Sequence, residues 1–165
     1  MRRQSTLERI RSRVDKLCSN FDRYLQKFDD AEKFTGPSVY FHIKTLNTLK
    51  SLGLPAALED THFLEYLYAT LTAWGLHRMG PKGAKLVEFE PFKKTLSNQE
   101  EAITSLQDYQ LTQLSDRNLN TIVDALWNIL SNLKVSETET QIVAGSKALH
   151  HLLPKLMPPI DREHT

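Results

Sequence analysis

The chain has 165 residues, of which 40% are hydrophobic and 25% are charged, and its net charge is +1. This length and balance are typical of one globular domain and exclude disorder throughout the chain. A net charge this small excludes a global field that would attract nucleic acid or membranes, so such an attraction must come from a local patch. A single cysteine, Cys18, excludes an internal disulfide, and its position beside an apolar helix stripe predicts a buried or half-buried thiol.

Targeting and cofactor signals are absent from the sequence. No apolar run approaches the roughly 18 residues that a membrane span needs, and the Arg-rich N-terminus lacks the apolar segment of a signal peptide. The glycine fingerprints of dinucleotide-binding and P-loop proteins do not occur either. We therefore expect a soluble, cytoplasmic protein that binds no cofactor and makes no membrane contact.

The first predicted element is a long amphipathic helix over about residues 7–33. Ser5 and Glu8 have the spacing of a capping box, and Thr35-Gly36-Pro37 ends the pattern. Apolar residues alternate at spacings of three and four, as in a heptad repeat, so this helix could pack against a second copy in a homo-oligomer. These residues are Leu7, Ile10, Val14, Leu17, Phe21, Tyr24 and Phe28.

Two further helices follow, the first from about Ser38 to Leu52 and the second after a cap at Asp60 or Thr61. Gly53 suits the position just after the first of them. We expect its apolar residues to face inward, namely Val39, Tyr40, Ile43, Leu46, Leu49 and Leu52. The next helix is apolar around most of its circumference, from Phe63 to Trp74, so it is predicted to be the central and most buried element.

The second half of the chain is predicted to be helical as well. Capping boxes are expected at residues 97–100 and 136–139, and a further cap at Asp116. Pro154 ends the last helix, and residues 154–165 are expected to be extended. Neither a period-two run nor an Asn-Gly or Asp-Gly turn indicates strands. The sequence therefore predicts an all-α, single-domain bundle of about six to seven helices over residues 1–165.

A basic, turn-rich loop at residues 77–85 is the first candidate site. Small residues let the backbone approach a phosphate closely, and basic side chains would bind it. The candidate anion ligands are His77, Arg78, Lys82 and Lys85. The loop predicts contact with a phosphate-bearing ligand or nucleic acid, although an ordinary solvated turn explains the same composition.

The N-terminal segment is a second basic cluster, with six basic and two acidic residues and a net charge of +4. Its basic residues are Arg2, Arg3, Arg9, Arg11, Arg13 and Lys16. Such a helix face can bind phosphates and release their counterions. The solvated side of an amphipathic helix has the same composition, and both interpretations remain open.

The C-terminal stretch carries the third candidate site, because lysine, histidine and aspartate are the side chains that acid–base chemistry uses. Lys147 and Asp161 are the candidate catalytic residues, and Arg162 is a further anion ligand. Desolvation on an apolar helix face can make a lysine nucleophilic, although Lys147 can equally extend to water. His150 and His151 are consecutive, so we expect them on different sides of their helix. None of the six histidines has a partner at i, i+4, and no metal site is expected.

Two stretches look like family signatures, namely AWGLHRMGPKGAK at residues 73–85 and GSKALHHLLP with PPIDR at residues 145–162. Together they resemble an uncharacterised prokaryotic all-helical family. That resemblance implies an all-helical fold and no particular mechanism.

The second stretch alone is similar to helix-hairpin-helix DNA glycosylases in the order of Gly145, Lys147 and Pro159-Ile160-Asp161. The resemblance implies that Lys147 attacks the sugar C1′ and that Asp161 supports the cationic transition state. The LPGxG hairpin of that family is absent, the interval from Lys147 to Asp161 is shorter, and no helices follow the aspartate.

Three hypotheses follow from the sequence. The first is a non-enzymatic helical domain that binds a phosphate-bearing or protein partner through its basic loop, joined by the N-terminal arginines. The second is an enzyme with one pocket formed by Trp74, His77, Arg78, Lys147 and Asp161. The third is a structural protein that assembles through its first helix.

Overall fold

A computed structural model describes residues 5–30, 35–76, 85–138 and 141–160. Within these ranges the chain forms nine α-helices and no strand, and one isolated antiparallel bridge joins Leu86 to Ser136. The all-α prediction is confirmed. None of the described helices is both long and apolar enough to cross a membrane. The helices are α1 Thr6–Ser19, α2 Phe21–Asp29, α3 Pro37–Leu52, α4 Leu54–Glu59, α5 Thr61–Ala73, α6 Phe89–Ser97, α7 Glu100–Thr104, α8 Asp116–Asn132 and α9 Ile142–Leu152.

The chain divides into two compact units, residues 1–35 and residues 36–165. The first unit contains α1 and α2, and the predicted capping box at its start is confirmed. Ser5 Oγ accepts from the Glu8 amide at 3.2 Å, and Glu8 Oε2 accepts from the Ser5 amide at 2.9 Å. The single helix expected as far as residue 33 is wrong, because Asn20 leaves the helical conformation at φ −130°. Its side chain instead donates to the Lys16 carbonyl at 2.9 Å.

The apolar stripe of the first unit is exposed, and α1 contains no buried residue. Cys18 is exposed too, so the expectation of a buried thiol is wrong. The helical spacing correctly identified one apolar face, but within residues 5–30 no core forms over it. The exposed side chains are Leu7, Ile10, Val14, Leu17, Phe21, Tyr24 and Leu25.

The second unit has its core around α5, as the sequence predicted. Phe63, Leu67 and Leu71 are fully buried, and Asp60 caps the helix by accepting from the Phe63 amide at 2.6 Å. Helix α3 packs along α5, and this interface includes two buried hydroxyls, Thr45 Oγ1 and Thr70 Oγ1, which lie 2.9 Å apart. Helices α4 and α9 pack on the α3–α5 pair, α6 and α7 contact α4, and α8 contacts α7 and α9.

The predicted orientation of α3 is wrong in part. Tyr40 is 56% exposed, and Ile43 and Leu52 are exposed as well, whereas the fully buried residue of α3 is Thr45. Apolar residues occur on more than one side of this helix, so its periodicity did not specify which side packs against α5. The side that packs against α5 carries Thr45, whose hydroxyl lies 2.9 Å from that of Thr70.

Several predicted helix starts are also wrong. Helix α7 follows Gln99 without a side-chain cap, and α8 is capped by Ser115 rather than by Asp116. Helix α9 begins at Ile142 instead of following Ser136, because the Gln141 side chain holds the preceding loop. Its Oε1 accepts from the amides of Val135 and Ser136, each at 3.1 Å.

The segment after α9 is not extended from its beginning. Residues 154–156 form a turn, in which the Leu156 amide donates to the Leu153 carbonyl at 3.0 Å. Residues 157–160 then run without regular structure. The rest of the predicted extended tail, residues 161–165, lies outside the described residues.

Candidate functional site

Three histidines and a tryptophan meet in the second unit, although they come from three separate helices. His42 lies on α3, Trp74 directly follows α5, and His150 and His151 lie on α9. The Trp74 ring centroid is 5.3 Å from that of His42 and 4.7 Å from that of His151. We call His42, Trp74, His150 and His151 the imidazole–indole cluster.

Local sequence explains how these helices place the cluster. Helix α5 ends at Ala73, and Gly75 follows with φ 91°, a conformation that favours glycine. On α9, the residues before the histidines are small and buried, which lets the helix pack closely. A Cβ atom at Gly145 would lie only 3.0 Å from Leu130 Cδ2 of α8. The glycine therefore allows α8 and α9 to approach each other.

Both histidines of α9 contact Trp74, although consecutive residues of a helix point in different directions. Their ring centroids are 6.2 Å and 4.7 Å from that of Trp74. Consecutive helical residues differ by about 100° in direction, but a large indole placed between the two directions contacts both rings. His151 is fully buried, and His150 is half-buried.

Hydrogen bonds determine which imidazole nitrogens carry protons. His151 Nδ1 lies 2.8 Å from the Lys147 carbonyl oxygen, and His150 Nδ1 lies 2.9 Å from that of Met157. Because a carbonyl oxygen only accepts, both Nδ1 atoms donate. His151 Nε2 also lies 3.0 Å from His42 Nδ1. The Trp74 indole N–H donates to the Ser38 carbonyl over 3.4 Å.

Burial keeps two of the imidazoles neutral near pH 7. It lowers the pKa of His151 to about 4, against the opposing effect of the hydrogen bond to the Lys147 carbonyl. The pKa of His42 is lowered first by burial and second by the charge of His150. These two imidazoles are therefore neutral hydrogen-bonding groups rather than fixed positive charges.

Lys147 lies beside the cluster on α9, three residues before His150 and four before His151. This spacing puts its side chain on the same side of the helix as theirs. The neighbouring Ser146 is fully buried, and its hydroxyl accepts from the Ile160 amide at 3.0 Å. The structure thus joins the segment before Asp161 to the segment that carries Lys147.

Most other predicted site residues cannot be compared with the structure. His77, Arg78, Lys82, Asp161 and Arg162 lie outside the described residues, as do Arg2 and Arg3 of the N-terminal cluster.

Lys85 of the predicted anion site is described, and it is part of a surface ion pair. Its Nζ bonds Glu137 Oε1 at 3.0 Å, and this hydrogen bond raises the pKa of Lys85. The pairing offsets the charge that the sequence assigned to phosphate binding. Lys85 also lies next to the isolated bridge between Leu86 and Ser136. Its carbonyl accepts from the Glu137 amide at 2.9 Å.

Sequence analysis missed His42 as a member of the site. It is separated from His151 by 109 positions and belongs to no local motif. The spacing of apolar residues around it gave no signal beyond a helix. Only the packing of α3 against α5 and α9 brings it to the other rings.

The described residues contain no group of three or more histidine, cysteine, aspartate or glutamate side chains suited to a metal ion. His42 and His151 bond each other directly, so those two nitrogens do not point at a shared ion. Two shallow surface grooves lie elsewhere, one on the outer side of α3 at Tyr40 and Leu52 and one beside α7 at Glu101 and Asp108. Neither of these grooves is lined by a member of the imidazole–indole cluster.

Gly145 does not open a helix, as the glycine of a helix-hairpin-helix turn would. It lies inside α9 and is buried against Leu130. Its function here is close helix packing, so the order of Gly145 and Lys147 in the sequence arises differently from the glycosylase arrangement. The catalytic assignment of Lys147 and Asp161 stays a prediction.

Comparison with known proteins found no matching family model, no matching curated protein and no matching solved structure. The resemblances drawn from the two sequence stretches therefore remain expectations.

Proposed function

We propose that the second unit binds a phosphate-bearing ligand of the nucleic acid class at the imidazole–indole cluster. The observation that carries this proposal is the meeting of Trp74, His42, His150 and the Lys147 segment from three separate helices. An indole and imidazoles offer flat faces to a base, and a lysine ammonium pairs with phosphate. These are the two components of sequence-tolerant nucleic acid recognition.

The arrangement of the rings supports a flat ligand. The planes of His42, Trp74 and His150 are nearly parallel, with interplanar angles of 29°, 3° and 27°. Their centroids are 5.3, 6.2 and 6.2 Å apart, so they form a triangle and not one column. A flat base stacks favourably on aromatic rings of similar orientation, so this arrangement suits such a ligand.

The basic loop of the sequence supports an anionic ligand. His77 and Arg78 follow Trp74 after only two residues, so this loop continues in sequence from a member of the cluster. Its positive charges match a phosphate backbone. Arg162 follows soon after Ile160, but the adjacent Asp161 carries the opposite charge.

Binding of fluorescent single-stranded RNA and DNA by the full chain tests the proposal. We expect affinity at low salt that falls steeply as salt rises, because counterions are released. Trp74→Phe keeps an aromatic ring, whereas Trp74→Ala should weaken binding on the order of tenfold through lost stacking. Lys147→Ala should weaken binding of every sequence to a similar degree.

Matched controls come from the same unit. Trp127 is an exposed tryptophan of α8, and Lys155 is an exposed lysine after α9. Trp127→Ala and Lys155→Ala should bind as the wild type does, and thermal melts check that every variant is folded. Absence of binding at low salt, or equal losses in Trp127→Ala and Trp74→Ala, would overturn the proposal.

A separate observation favours self-association of the first unit. Six residues of the heptad stripe are exposed although they recur at a and d spacing, namely Leu7, Ile10, Val14, Leu17, Phe21 and Tyr24. We propose that a second copy of α1–α2 covers this stripe, because a/d apolar seams pack against helices of the same pattern. The two residues nearest its middle are Val14 and Leu17.

Analytical ultracentrifugation of the full chain tests the self-association. The wild type should sediment as an oligomer, and Val14→Glu/Leu17→Glu should sediment as a monomer because buried carboxylates oppose the contact. Ser12→Glu, which adds one charge outside the stripe on the same exposed helix, is the control and should stay oligomeric. A monomeric wild type at high concentration contradicts the proposal.

A further inference from the structure

The groove on the outer side of α3 is lined by two adjacent rows of side chains. Within each row the residues follow at intervals of four, so the rows are neighbouring ridges of the helix surface. The groove has a volume of about 390 Å³, and we call it the α3 groove. One row is Tyr40, Lys44, Thr48 and Leu52, and the other is Ile43, Asn47 and Ser51.

Helix α8 exposes one apolar row with the same spacing. Leu119, Val123 and Trp127 follow at intervals of four and are 40%, 50% and 60% exposed. Such a row is a ridge of the helix surface, and helices pack by inserting the ridge of one into the groove of another. We call these three residues the α8 ridge.

The α8 ridge and the α3 groove agree in length and shape. The ridge runs from residue 119 to residue 127, about 12 Å at the helical rise of 1.5 Å per residue. The groove runs from Tyr40 to Leu52, about 18 Å at the same rise. Shorter polar side chains lie between these two ends, which leaves room for a large ring such as that of Trp127. Rows with four-residue spacing on both helices belong to the packing class in which the axes cross at about −50°.

The charges beside these two surfaces are opposite in sign. Helix α3 contains Lys44 and Lys50 and no acidic residue, and Lys44 lines the groove. Asp116 and Asp124 lie three residues before the first and last members of the ridge, and residues at this spacing are neighbours on a helix. Arg117 lies two residues before the ridge, a spacing that does not share a face. In the described part of the chain, no ion pair uses Lys44, Asp116 or Asp124.

We infer that the α8 ridge of one copy of this chain packs into the α3 groove of a second copy. A second copy is the occupant because the chain itself carries both halves of the contact, matched in spacing, length and charge. Packing removes the apolar row from water and brings its acidic neighbours towards Lys44. Two α8 ridges would instead bring Asp116 and Asp124 against like charges, so the contact is heterologous.

This contact involves only the second unit and is independent of the proposed stripe on α1–α2 and of nucleic acid binding. One helix against one helix is a small interface, so we expect a dissociation constant on the order of 10–100 µM. In dilute solution the contact is therefore open, and Val14→Glu/Leu17→Glu is monomeric there. As the concentration rises, larger species form because each copy offers both faces.

Sedimentation of the full chain in the Val14→Glu/Leu17→Glu background tests the contact without any contribution from the first unit. The protein is compared between about 10 µM and about 500 µM, a range that brackets an interface of this size. The average mass should rise with concentration. The rise should be smaller at high salt, because salt screens the attraction between the carboxylates and Lys44.

Variants of each face, made in the same background, should abolish this rise. Val123→Gln/Trp127→Gln removes the apolar ridge without a change of charge, and Asn47→Glu places a carboxylate in the groove. Each variant should stay monomeric at every concentration. Thr121→Gln/Asn128→Gln changes the other exposed side of α8 and should associate as the background protein does. All five positions are exposed, and thermal melts check that each variant is folded.

Mixing the variants tests whether the contact joins two different faces. The Asn47→Glu variant keeps its ridge, and the Val123→Gln/Trp127→Gln variant keeps its groove. An equimolar mixture should therefore form a 1:1 dimer although neither variant associates alone. This dimer should not grow further, because its remaining ridge and groove are the altered ones.

Charge reversal tests the electrostatic part of the contact. Lys44→Glu and Asp116→Lys/Asp124→Lys should each weaken association, because each places like charges on both faces. A mixture of these two variants should recover association, since every pairing of altered with altered and of native with native faces is then of opposite sign.

A background protein that stays monomeric at the highest concentration overturns the inference, and the two faces then fit a different partner. Association that survives in the ridge variant or the groove variant overturns it, as does a mixture of the two that stays monomeric. Equal loss of association in Thr121→Gln/Asn128→Gln would assign the contact to another side of α8 and overturn it as well.

Discussion

The two units of the chain both contain apolar helical faces, and these faces have opposite burial. In the first unit, residues 1–35, an apolar stripe at helical spacing includes Phe21, which is 57% exposed. In the second unit, residues 36–165, α5 is apolar around most of its circumference and includes Phe63, which is 0% exposed. Periodicity therefore specifies that a helix has an apolar face, whereas burial depends on which other helices pack against that face.

The largest effect on the free energy of unfolding is expected for Phe63, and Phe21 provides the comparison. Phe63→Ala should lower the free energy of unfolding by about 3–5 kcal/mol, because it leaves a cavity in a packed core. At protein concentrations low enough to keep the chain monomeric, Phe21→Ala should change it by less than about 0.5 kcal/mol, as expected for an exposed site. Denaturant titration followed by circular dichroism measures both. Equal losses in the two variants would mean that Phe21 is buried in solution.

Acid should lower the stability of the second unit through protonation of His151. Its pKa is about 4 in the folded chain and near 6.5 when unfolded, so the unfolded state binds the proton more tightly. The contribution to stability is present above pH 6.5 and is lost as the pH falls towards 4, by about 3 kcal/mol in all. The groups around it are His42, His150 and Lys147, and His42 shifts in the same direction.

Unfolding measured from pH 7 to pH 4 tests this loss. His151→Gln should flatten the pH dependence of the unfolding free energy relative to the wild type, because the variant has no imidazole to protonate there. Carboxylates titrate alike in both proteins and cancel in the difference. His62→Gln, at an exposed position, should keep the wild-type slope, and an identical slope in His151→Gln would contradict the assignment.

The sequence could predict the features that depend on local interactions, but not those that depend on contacts between distant parts of the chain. The caps at Ser5 and Asp60 were predictable, since a cap uses residues within one helical turn. The core position of α5 was predictable because apolar residues occur around most of that helix. The outward face of α3 was not, since its buried contact is a threonine that pairs with Thr70 of another helix.

The candidate site likewise contains residues that the sequence could indicate and one residue, His42, that it could not. Lys147, His150 and His151 share one helical stretch, and the sequence indicated that stretch as a candidate site. His42 could not be assigned to it, because no local pattern reports a contact across 109 positions. The apparent capping box at Ser136 failed for a related reason, since the Gln141 side chain competes for the same loop amides.

The threonine pair should produce a smaller effect than the core phenylalanine. Thr45 Oγ1 lies 2.8 Å from the Phe41 carbonyl, Thr70 Oγ1 lies 2.8 Å from the Tyr66 carbonyl, and the two hydroxyls lie 2.9 Å apart. Two hydroxyl hydrogens cannot satisfy all three contacts, so the hydroxyls share them. Thr45→Val should cost about 1 kcal/mol, and Thr45→Val/Thr70→Val should cost less than the two single variants combined. Additive costs in this double-mutant cycle would exclude the coupling.

The smallest effect on stability is expected at the Lys85–Glu137 ion pair, which lies on the exposed surface of the second unit. Both side chains are about half exposed, and exposed pairs gain little because water and salt screen them. The neighbouring bridge is made by backbone atoms, including the bond from the Glu137 amide to the Lys85 carbonyl at 2.9 Å. Glu137→Gln should therefore leave the melting temperature unchanged at physiological salt while it releases the Lys85 ammonium. If the basic loop contacts nucleic acid, which is one of the two interpretations of its sequence, the same variant should bind RNA more tightly. A lower melting temperature would show that the ion pair, and not the backbone bridge, holds this edge of the unit together.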